Sequence, residues 1–322
     1  MSIAESRREQ MFPCFTDAQI AAAGRFAPDG PRGFAPNEIL FGLGTRETAA
    51  WLVVEGSIDL VRRQPFGDEV LIANLGRGQV SGEIGQLSGG ATLALGRAGP
   101  AGCKALCFDP PHLRALVIGS AEIGEVVMRA FILRRVGLIA SAAGPVLLGH
   151  PGSLEFVRLE GLLTRNGYPH HGIDAGAAEG VGIMKQMGLA AGDLPLMICP
   201  DGQVLKRPSE AEAGVCLGLT PKLDPATIYD VAVVGAGPAG LATAVYAASE
   251  GLAVLVLDAR AVGGQAGASA RIENYLGFPT GISGRALAGR AFSQAQKFGA
   301  VVAIPEEAAR LDCGDAPHAP TD

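Results

Sequence analysis

The stretch VAVVGAGPAGLATAVYAASEGLAVLVLD, residues 231–258, constrains the fold more than any other part of the chain. Its first eighteen residues carry no charge, a property that it shares with membrane spans. However, Gly235, Gly237 and Gly240 interrupt it with the G-x-G-x-x-G spacing of a strand-to-helix turn. Glu250 and Asp258 also lie at the wrong places for a membrane span. The pattern predicts a strand, a glycine turn and a helix.

The same turn predicts a dinucleotide-binding site. The first glycine makes the bend, the second lets the backbone approach a pyrophosphate, and the third lets the helix pack closely on the strand. The N–H groups at the start of the helix then face the anion. A second apolar strand ends at Asp258, about twenty residues beyond the glycines, where a carboxylate can accept hydrogen bonds from a ribose.

Composition narrows the protein class. The 322 residues suffice for two or three domains, and the hydrophobic share of 48% argues against disorder. The net charge of −6 argues against a general binder of nucleic acids or anionic membranes. The N-terminal segment has acidic residues and lacks the apolar run of a secretory signal. We therefore expect a cytoplasmic protein.

The cysteines are scattered and form no C-x-x-C pair. This spacing favours a reducing compartment over a disulfide framework. Cys103 and Cys107 have no histidine nearby, so we expect no metal site.

Short apolar runs broken by glycine between residues 36 and 110 predict a small antiparallel β-unit, with strands in WLVVEGSIDLVRR (51–63), EVLIANLGRG (69–78) and CKALCFD (103–109). A helical pattern follows over Ala121–Ala140. The next unit reads as a strand at Val146–Leu148, a helix over Ser153–Gly167 and a short linking region. Two strands follow within residues 193–205, joined at the turn Pro200-Asp201-Gly202.

A linker with two prolines, Gly218–Ile228, leads to the glycine turn. The sequence therefore predicts an α/β multidomain chain. We place the three domains at residues 1–143, 144–221 and 222–322.

The residues after Asp258 carry a family resemblance. GGQAG (263–267), followed by RIENYLGFP (271–279), resembles the FAD domain of thioredoxin reductases. The resemblance implies a partial FAD-binding domain of the Rossmann-type, three-layer class. By position, it implies that FAD is bound by Gly235, Ala236, Gly237, Pro238, Ala239, Gly240, Asp258, Gly263, Gly264, Gln265 and Asn274.

Most of the chain resembles bacterial thioredoxin reductases that contain a cyclic-nucleotide-binding domain. GQVSGEIGQLSGG, residues 78–90, is similar to the phosphate-binding cassette of that β-roll, and Gly82 and Glu83 match the pair that holds the ribose. The family's arginine is missing, since Gly90 and Ala91 precede Thr92. A buried phosphate without this cation loses much of its attraction. We therefore expect a structural or docking β-roll, with cyclic-nucleotide binding as the alternative.

The middle unit resembles a thioredoxin or glutaredoxin fold. The place of the redox cysteine pair is taken by HPGS, residues 150–153, which has no sulfur, and Pro195 matches the fold's cis-proline. The resemblance implies a domain that keeps the fold without thiol chemistry. We expect Cys199, in an apolar strand, to be a small core residue.

The implied function is that of an FAD-dependent oxidoreductase, which takes electrons from NADPH and passes them to a disulfide or another acceptor. A thioredoxin-like protein or ferredoxin would be that acceptor. The stretch GGQAGASARIENY, residues 263–275, contains no cysteine, so any disulfide chemistry is not that of the flavin disulfide reductases that carry a cysteine pair just past this region. The alternatives are a ferredoxin- or quinone-type NADPH reductase and an FAD-binding or regulatory remnant without turnover. Because the sequence has only one G-x-G-x-x-G, we expect a C-terminally truncated chain without the NADPH-binding domain. We expect no nucleic-acid or membrane partner, and a homodimer is left open.

Overall fold

The computed structural model describes residues 8–63, 69–82, 86–87, 92, 94–140, 144–168, 170–199, 202–221 and 223–312, with the backbone alone at 63 and 135–140. Within these ranges the chain forms three sheets, one in each predicted unit. The prediction of an α/β multidomain chain is confirmed.

The first unit is an antiparallel β-roll flanked by helices. Its elements are α1 (Arg8–Met11), α2 (Asp17–Gly24), β1 (Arg32–Phe34), β2 (Ile39–Phe41), β3 (Ala50–Arg63), β4 (Glu69–Leu75), β5 (Leu95–Phe108), α3 (Pro110–Gly119) and α4 (Ala121–Ala140). The strand order is β1-β5-β3-β4, and β2 pairs with β5. The helix predicted over Ala121–Ala140 is confirmed, whereas β5 begins at Leu95, well before the expected start at Cys103.

The β-roll has a core on each side of its sheet. The helices cover one side, where Phe131 of α4 packs against Leu52 and Phe108 of the long strands. On the other side, Trp51 packs edge-on against Phe34 at a ring distance of 5.1 Å. Adjacent residues Trp51 and Leu52 serve opposite cores because side chains alternate between the two faces of a strand.

The second unit is a mixed sheet with helices. It contains β6 (Val146–Gly149), α5 (Leu154–Arg165), β7 (His171–Asp174), α6 (Ala178–Met187), β8 (Leu196–Ile198), β9 (Val204–Lys206) and α7 (Glu210–Cys216). The strand order is β7-β6-β8-β9; β6 and β7 are parallel and the other pairs are antiparallel. This is a thioredoxin-like arrangement, and the Leu194–Pro195 bond is cis, as the resemblance implied. The turn residues Pro200 and Asp201 lie outside the described residues.

Two expectations for the second unit are wrong. The sequence reading took residues 168–192 as a linking region, but they contain β7 and α6. The expectation that the scattered cysteines form no disulfide framework also fails, because Cys199 and Cys216 form a disulfide across 17 residues of sequence. Cys199 is therefore a buried half-cystine, because the fold brings α7 over the end of β8.

The third unit is a parallel sheet. It contains β10 (Val231–Val234), α8 (Pro238–Ser249), β11 (Val254–Leu257), α9 (Gly284–Lys297) and β12 (Val301–Ala303), with strand order β10-β11-β12. Leu241 and Ala244 of α8 and Ala295 of α9 are buried against the sheet with Val256. The strand–turn–helix prediction for the glycine stretch is confirmed. Among the described residues, no helix has both the length and the apolar character that a membrane crossing requires.

Candidate functional site

The glycine turn joins β10 to α8 at the carboxyl edge of the parallel sheet. Gly235 has φ of +105°, a backbone conformation that side chains disfavour, and its N–H donates to the Leu257 carbonyl at 2.7 Å. Gly237 is the N-cap of α8, and Pro238 is its first residue. The first N–H groups of a helix have no partner within the helix and carry its partial positive charge. The turn therefore presents donors to the space beyond the sheet edge.

Gly237 and Gly240 differ in what surrounds them. A Cβ on Gly237 would meet nothing within 4 Å, so the backbone here borders open space. A Cβ on Gly240 would lie 1.9 Å from the Gly235 carbonyl oxygen and 3.1 Å from Val233. Gly240 thus lets α8 pack closely on β10, while Gly237 leaves the space in front of the helix free.

The other two residues of the motif complete the turn. Ala236 is fully buried in the core of this unit. The Ala239 carbonyl accepts a hydrogen bond from the Thr243 hydroxyl at 3.0 Å, within α8.

Asp258 follows β11 and lies directly beside the glycine turn. One carboxylate oxygen accepts the Ala236 N–H at 2.8 Å. The other accepts the N–H groups of Arg260 at 2.8 Å and Ala261 at 3.0 Å. The side chain therefore ties the turn to the end of the second strand and fixes the carboxylate at the position expected for a ribose contact.

The G-G-Q loop lies against the turn. The Gly263 N–H donates to the Ala236 carbonyl at 2.7 Å. A Cβ on Gly263 would lie 2.5 Å from Ala288, and one on Gly264 would lie 3.2 Å from the Gly237 Cα. Both glycines have positive φ. The fold thus brings Gly263 and Gly264, which are 26 and 27 residues beyond Gly237 in sequence, into contact with the turn.

Gln265, which follows Gly264 in the G-G-Q loop, and Asn274 are both exposed. Next to Asn274, Tyr275 lines a small apolar pocket below the turn. The pocket is lined by Pro238, Leu241, Gly263, Ala266, Tyr275, Gly284, Leu287, Ala288 and Ala291. The sequence reading missed this pocket, and its one sequence signal is the apolar spacing of Leu287, Ala288 and Ala291 along α9.

The second candidate site, in the β-roll, is closely packed on the Cβ side of Gly82. Gly82 has φ of +113°, and a Cβ there would lie 2.5 Å from Gln86 Oε1 and 3.0 Å from Phe131. Glu83, its expected partner in ribose binding, lies outside the described residues, as do Gly90 and Ala91.

The sequence reading missed Arg134, a buried cation on α4. Its guanidinium donates to the carbonyls of Met11 at 2.7 Å, Gly82 at 2.7 Å and Val80 at 2.8 Å. Desolvation in this site lowers the pKa of Arg134 to about 9. An arginine inside the apolar run FILRR was the available signal. Arg134 fastens the segment that leads into the cassette.

Comparisons with known proteins fall on these same two units. Residues 31–118 match the cyclic nucleotide-binding domain family, and residues 230–298 match the family of FAD dependent oxidoreductases. The thioredoxin reductase of Treponema pallidum is 48% identical over 80 residues, which are 25% of this chain and 26% of that protein. That of Bacillus subtilis is 44% identical over 73 residues, 23% of each chain. The chain thus spans about a quarter of the length of the curated relatives it matches.

Solved structures similar to the chain include an atypical thioredoxin reductase from Desulfovibrio vulgaris Hildenborough, with a TM-score of 0.22 and 40% identity over 23% of this chain and 24% of that one. They also include the N-terminal domain of a transcriptional regulator from Streptomyces coelicolor A3(2), with a TM-score of 0.31 and 26% identity over 40% of this chain and 90% of that one. By these matches, residues 31–118 are similar to cyclic nucleotide-binding domains, and residues 230–298 are similar to FAD-dependent oxidoreductases and to thioredoxin reductases in particular.

Proposed function

We propose that this chain binds FAD through residues 230–298 and is part of an NADPH-dependent oxidoreductase of the thioredoxin-reductase type. The open backbone at Gly237, in front of the N-terminus of α8, is the observation that carries the proposal. A pyrophosphate needs close approach to the backbone and N–H donors, and this position offers both. The family match over the same residues supports the choice of FAD as the dinucleotide.

Each predicted residue has a role in this proposal. The turn from Gly235 to Gly240 holds the pyrophosphate, and Asp258 accepts hydrogen bonds from the adenosine ribose. Gly263, Gly264 and Gln265 border the cofactor on the side of the G-G-Q loop, and Asn274 lies toward the flavin end. The bound flavin would supply the redox chemistry, and the protein orients it and excludes water.

The proposed electron donor and acceptor rest on the similarity to thioredoxin reductases. NADPH is the proposed donor, and a disulfide of a thioredoxin-like protein is the proposed acceptor, in line with the names of the similar reductases. In the β-roll, the packed surroundings of Gly82 support a structural or docking role.

FAD binding by the full chain tests the proposal. Equilibrium dialysis with FAD should give saturable binding, and ADP should compete because it carries the same pyrophosphate. Gly237→Val should weaken FAD binding at least about 100-fold, since its side chain fills the pyrophosphate space; this corresponds to about 2.7 kcal/mol.

The matched control is Gly289→Val on α9. A Cβ on Gly289 also meets nothing within 4 Å, and the residue does not line the turn. This variant should bind FAD as the unaltered chain does. Normal flavin content in Gly237→Val would refute the site assignment, and an unaltered chain that does not bind FAD would refute the proposal.

A further inference from the structure

The disulfide of the thioredoxin-like unit lies far from the place where that fold carries its redox cysteines. Ile198 of β8 pairs with Val146, the first residue of β6, so Cys199 lies at the end of the sheet where β6 begins. His150 directly follows β6 and therefore lies at the opposite end of the strands. The structure therefore puts sulfur chemistry at the end of the sheet opposite to HPGS.

The two sulfur atoms differ in access. Cys199 is 3% exposed and packs in the core of the unit, whereas Cys216, the last residue of α7, is partly exposed. Thiol–disulfide exchange requires a thiolate to approach one sulfur directly while the other leaves. Attack is therefore directed to Cys216, with Cys199 as the leaving group.

The residues around Cys216 connect all three units. We call Gly214–Thr220 the junction segment. Arg46 of the β-roll donates to the carbonyls of Val215 at 3.3 Å and Thr220 at 2.8 Å. Tyr168 of the thioredoxin-like unit donates to the Leu217 carbonyl.

The third unit contacts the same segment. The Thr220 hydroxyl donates to the Ile304 carbonyl at 2.6 Å. A Cβ on Gly214 would lie 2.5 Å from the Pro305 side chain, so these two segments of the chain pack without room for a side chain between them. Cys216 of the disulfide thus lies within a segment that contacts both the β-roll and the third unit.

We propose that Cys199–Cys216 is a thiol–disulfide exchange site, reduced by a dithiol, that controls the junction segment. The dithiol's thiolate attacks Cys216 Sγ and forms a mixed disulfide, while the Cys199–Cys216 bond breaks and Cys199 leaves as a thiolate that takes up a proton. The second thiol of the same dithiol then loses its proton. It attacks the dithiol sulfur that is bonded to Cys216 in the mixed disulfide. Cys216 is released as a thiol, and the dithiol leaves as a disulfide, so two electrons pass to the protein. This site does not depend on FAD binding, and its failure would leave the proposed function intact.

The test on the unaltered full chain uses two reductants, dithiothreitol as a small dithiol and reduced thioredoxin as a protein dithiol. Differential alkylation and peptide mapping follow Cys199 and Cys216, and circular dichroism follows the fold. We expect the Cys199–Cys216 bond to be reduced while the fold is retained. Reduction by thioredoxin but not by dithiothreitol would identify a protein dithiol as the reductant of this site. A bond that neither reductant opens before the chain is unfolded would overturn the proposal.

Two single variants, each the control for the other, test the direction of attack. With glutathione disulfide, the Cys216 thiol in Cys199→Ser should form a mixed disulfide at least about tenfold faster than the Cys199 thiol in Cys216→Ser. Cys14, which is exposed, serves as an internal reference in both. Burial raises the pKa values of Cys103 and Cys107, which slows their reaction. Equal rates, or faster reaction of Cys199, would contradict the proposed asymmetry.

Hydrogen exchange tests control of the junction. Reduction should speed amide exchange in the junction segment and around Ile304, compared with the oxidised chain. Unchanged exchange at both places after complete reduction would show that the disulfide does not control the junction.

Discussion

Sequence motifs predict two glycine-centred nucleotide-binding sites, at Gly82 and at Gly237, and the surroundings of these two glycines differ. A Cβ on Gly237 meets open space, whereas a Cβ on Gly82 lies 2.5 Å from Gln86 and 3.0 Å from Phe131. A glycine can therefore serve either to admit a ligand or to admit the protein's own side chains. Which role a glycine has depends on whether other protein atoms fill the space beside it, and a sequence motif does not specify this.

The two sites also differ in how charged groups are used. Beside Gly237, Asp258 ties the turn to the sheet edge from a partly exposed position. Beside Gly82, Arg134 is buried and donates hydrogen bonds to three backbone carbonyls. The first arrangement suits a ligand that needs orientation, and the second stabilises the fold of the β-roll.

Alanine at each glycine should separate the two sites most strongly. Gly82→Ala should reduce the free energy of unfolding by about 2–4 kcal/mol, because overpacking and a positive φ both oppose the side chain. Gly237→Ala should cost less than about 1 kcal/mol, since its φ is −73° and its Cβ site is open. Urea unfolding of the full chain measures both, and equal losses would remove the distinction between a packed and an open site.

Arg134→Lys should have the next largest effect. A lysine has one nitrogen on a flexible stem and cannot reproduce the guanidinium fork that reaches Met11, Val80 and Gly82. We expect a loss of about 1–3 kcal/mol in the unfolding free energy of the β-roll. Arg129→Lys, on the exposed face of the same helix beside Glu125, should change it by less than about 0.5 kcal/mol. If both variants unfold alike, Arg134 does not hold the cassette segment.

Asp258→Asn should have the smallest effect and should act on ligand binding. Its amide would turn an N–H₂ toward backbone N–H donors, so the turn loses a charge-assisted partner. We expect FAD binding to weaken about tenfold, or about 1.4 kcal/mol. Asp230→Asn is the control, because Asp230 accepts the Ala253 N–H at 2.7 Å at the other end of the strands. Equal FAD affinity for the Asp258 variant and the control would argue against a role for Asp258 in the site.

The sequence by itself determined the local parts of this protein. The strand, turn and helix from Val231 to Ser249 could be predicted because glycine at 235 and 240 answers backbone requirements that few other residues meet. The long helix Ala121–Ala140 and the order of the three units followed from apolar periodicity and turn residues. These are short-range properties, so the pattern of the chain suffices to specify them.

Only the tertiary structure decided the contacts between distant residues. The helix Ala178–Met187 escaped prediction because it contains glycine, and Gly180 is needed there since a Cβ would lie 2.2 Å from the Asp174 carbonyl oxygen. The Cys199–Cys216 bond joins residues whose spacing matches no cysteine motif. Such contacts depend on how helices and strands pack against one another, and the local periodicity of a sequence does not specify that packing.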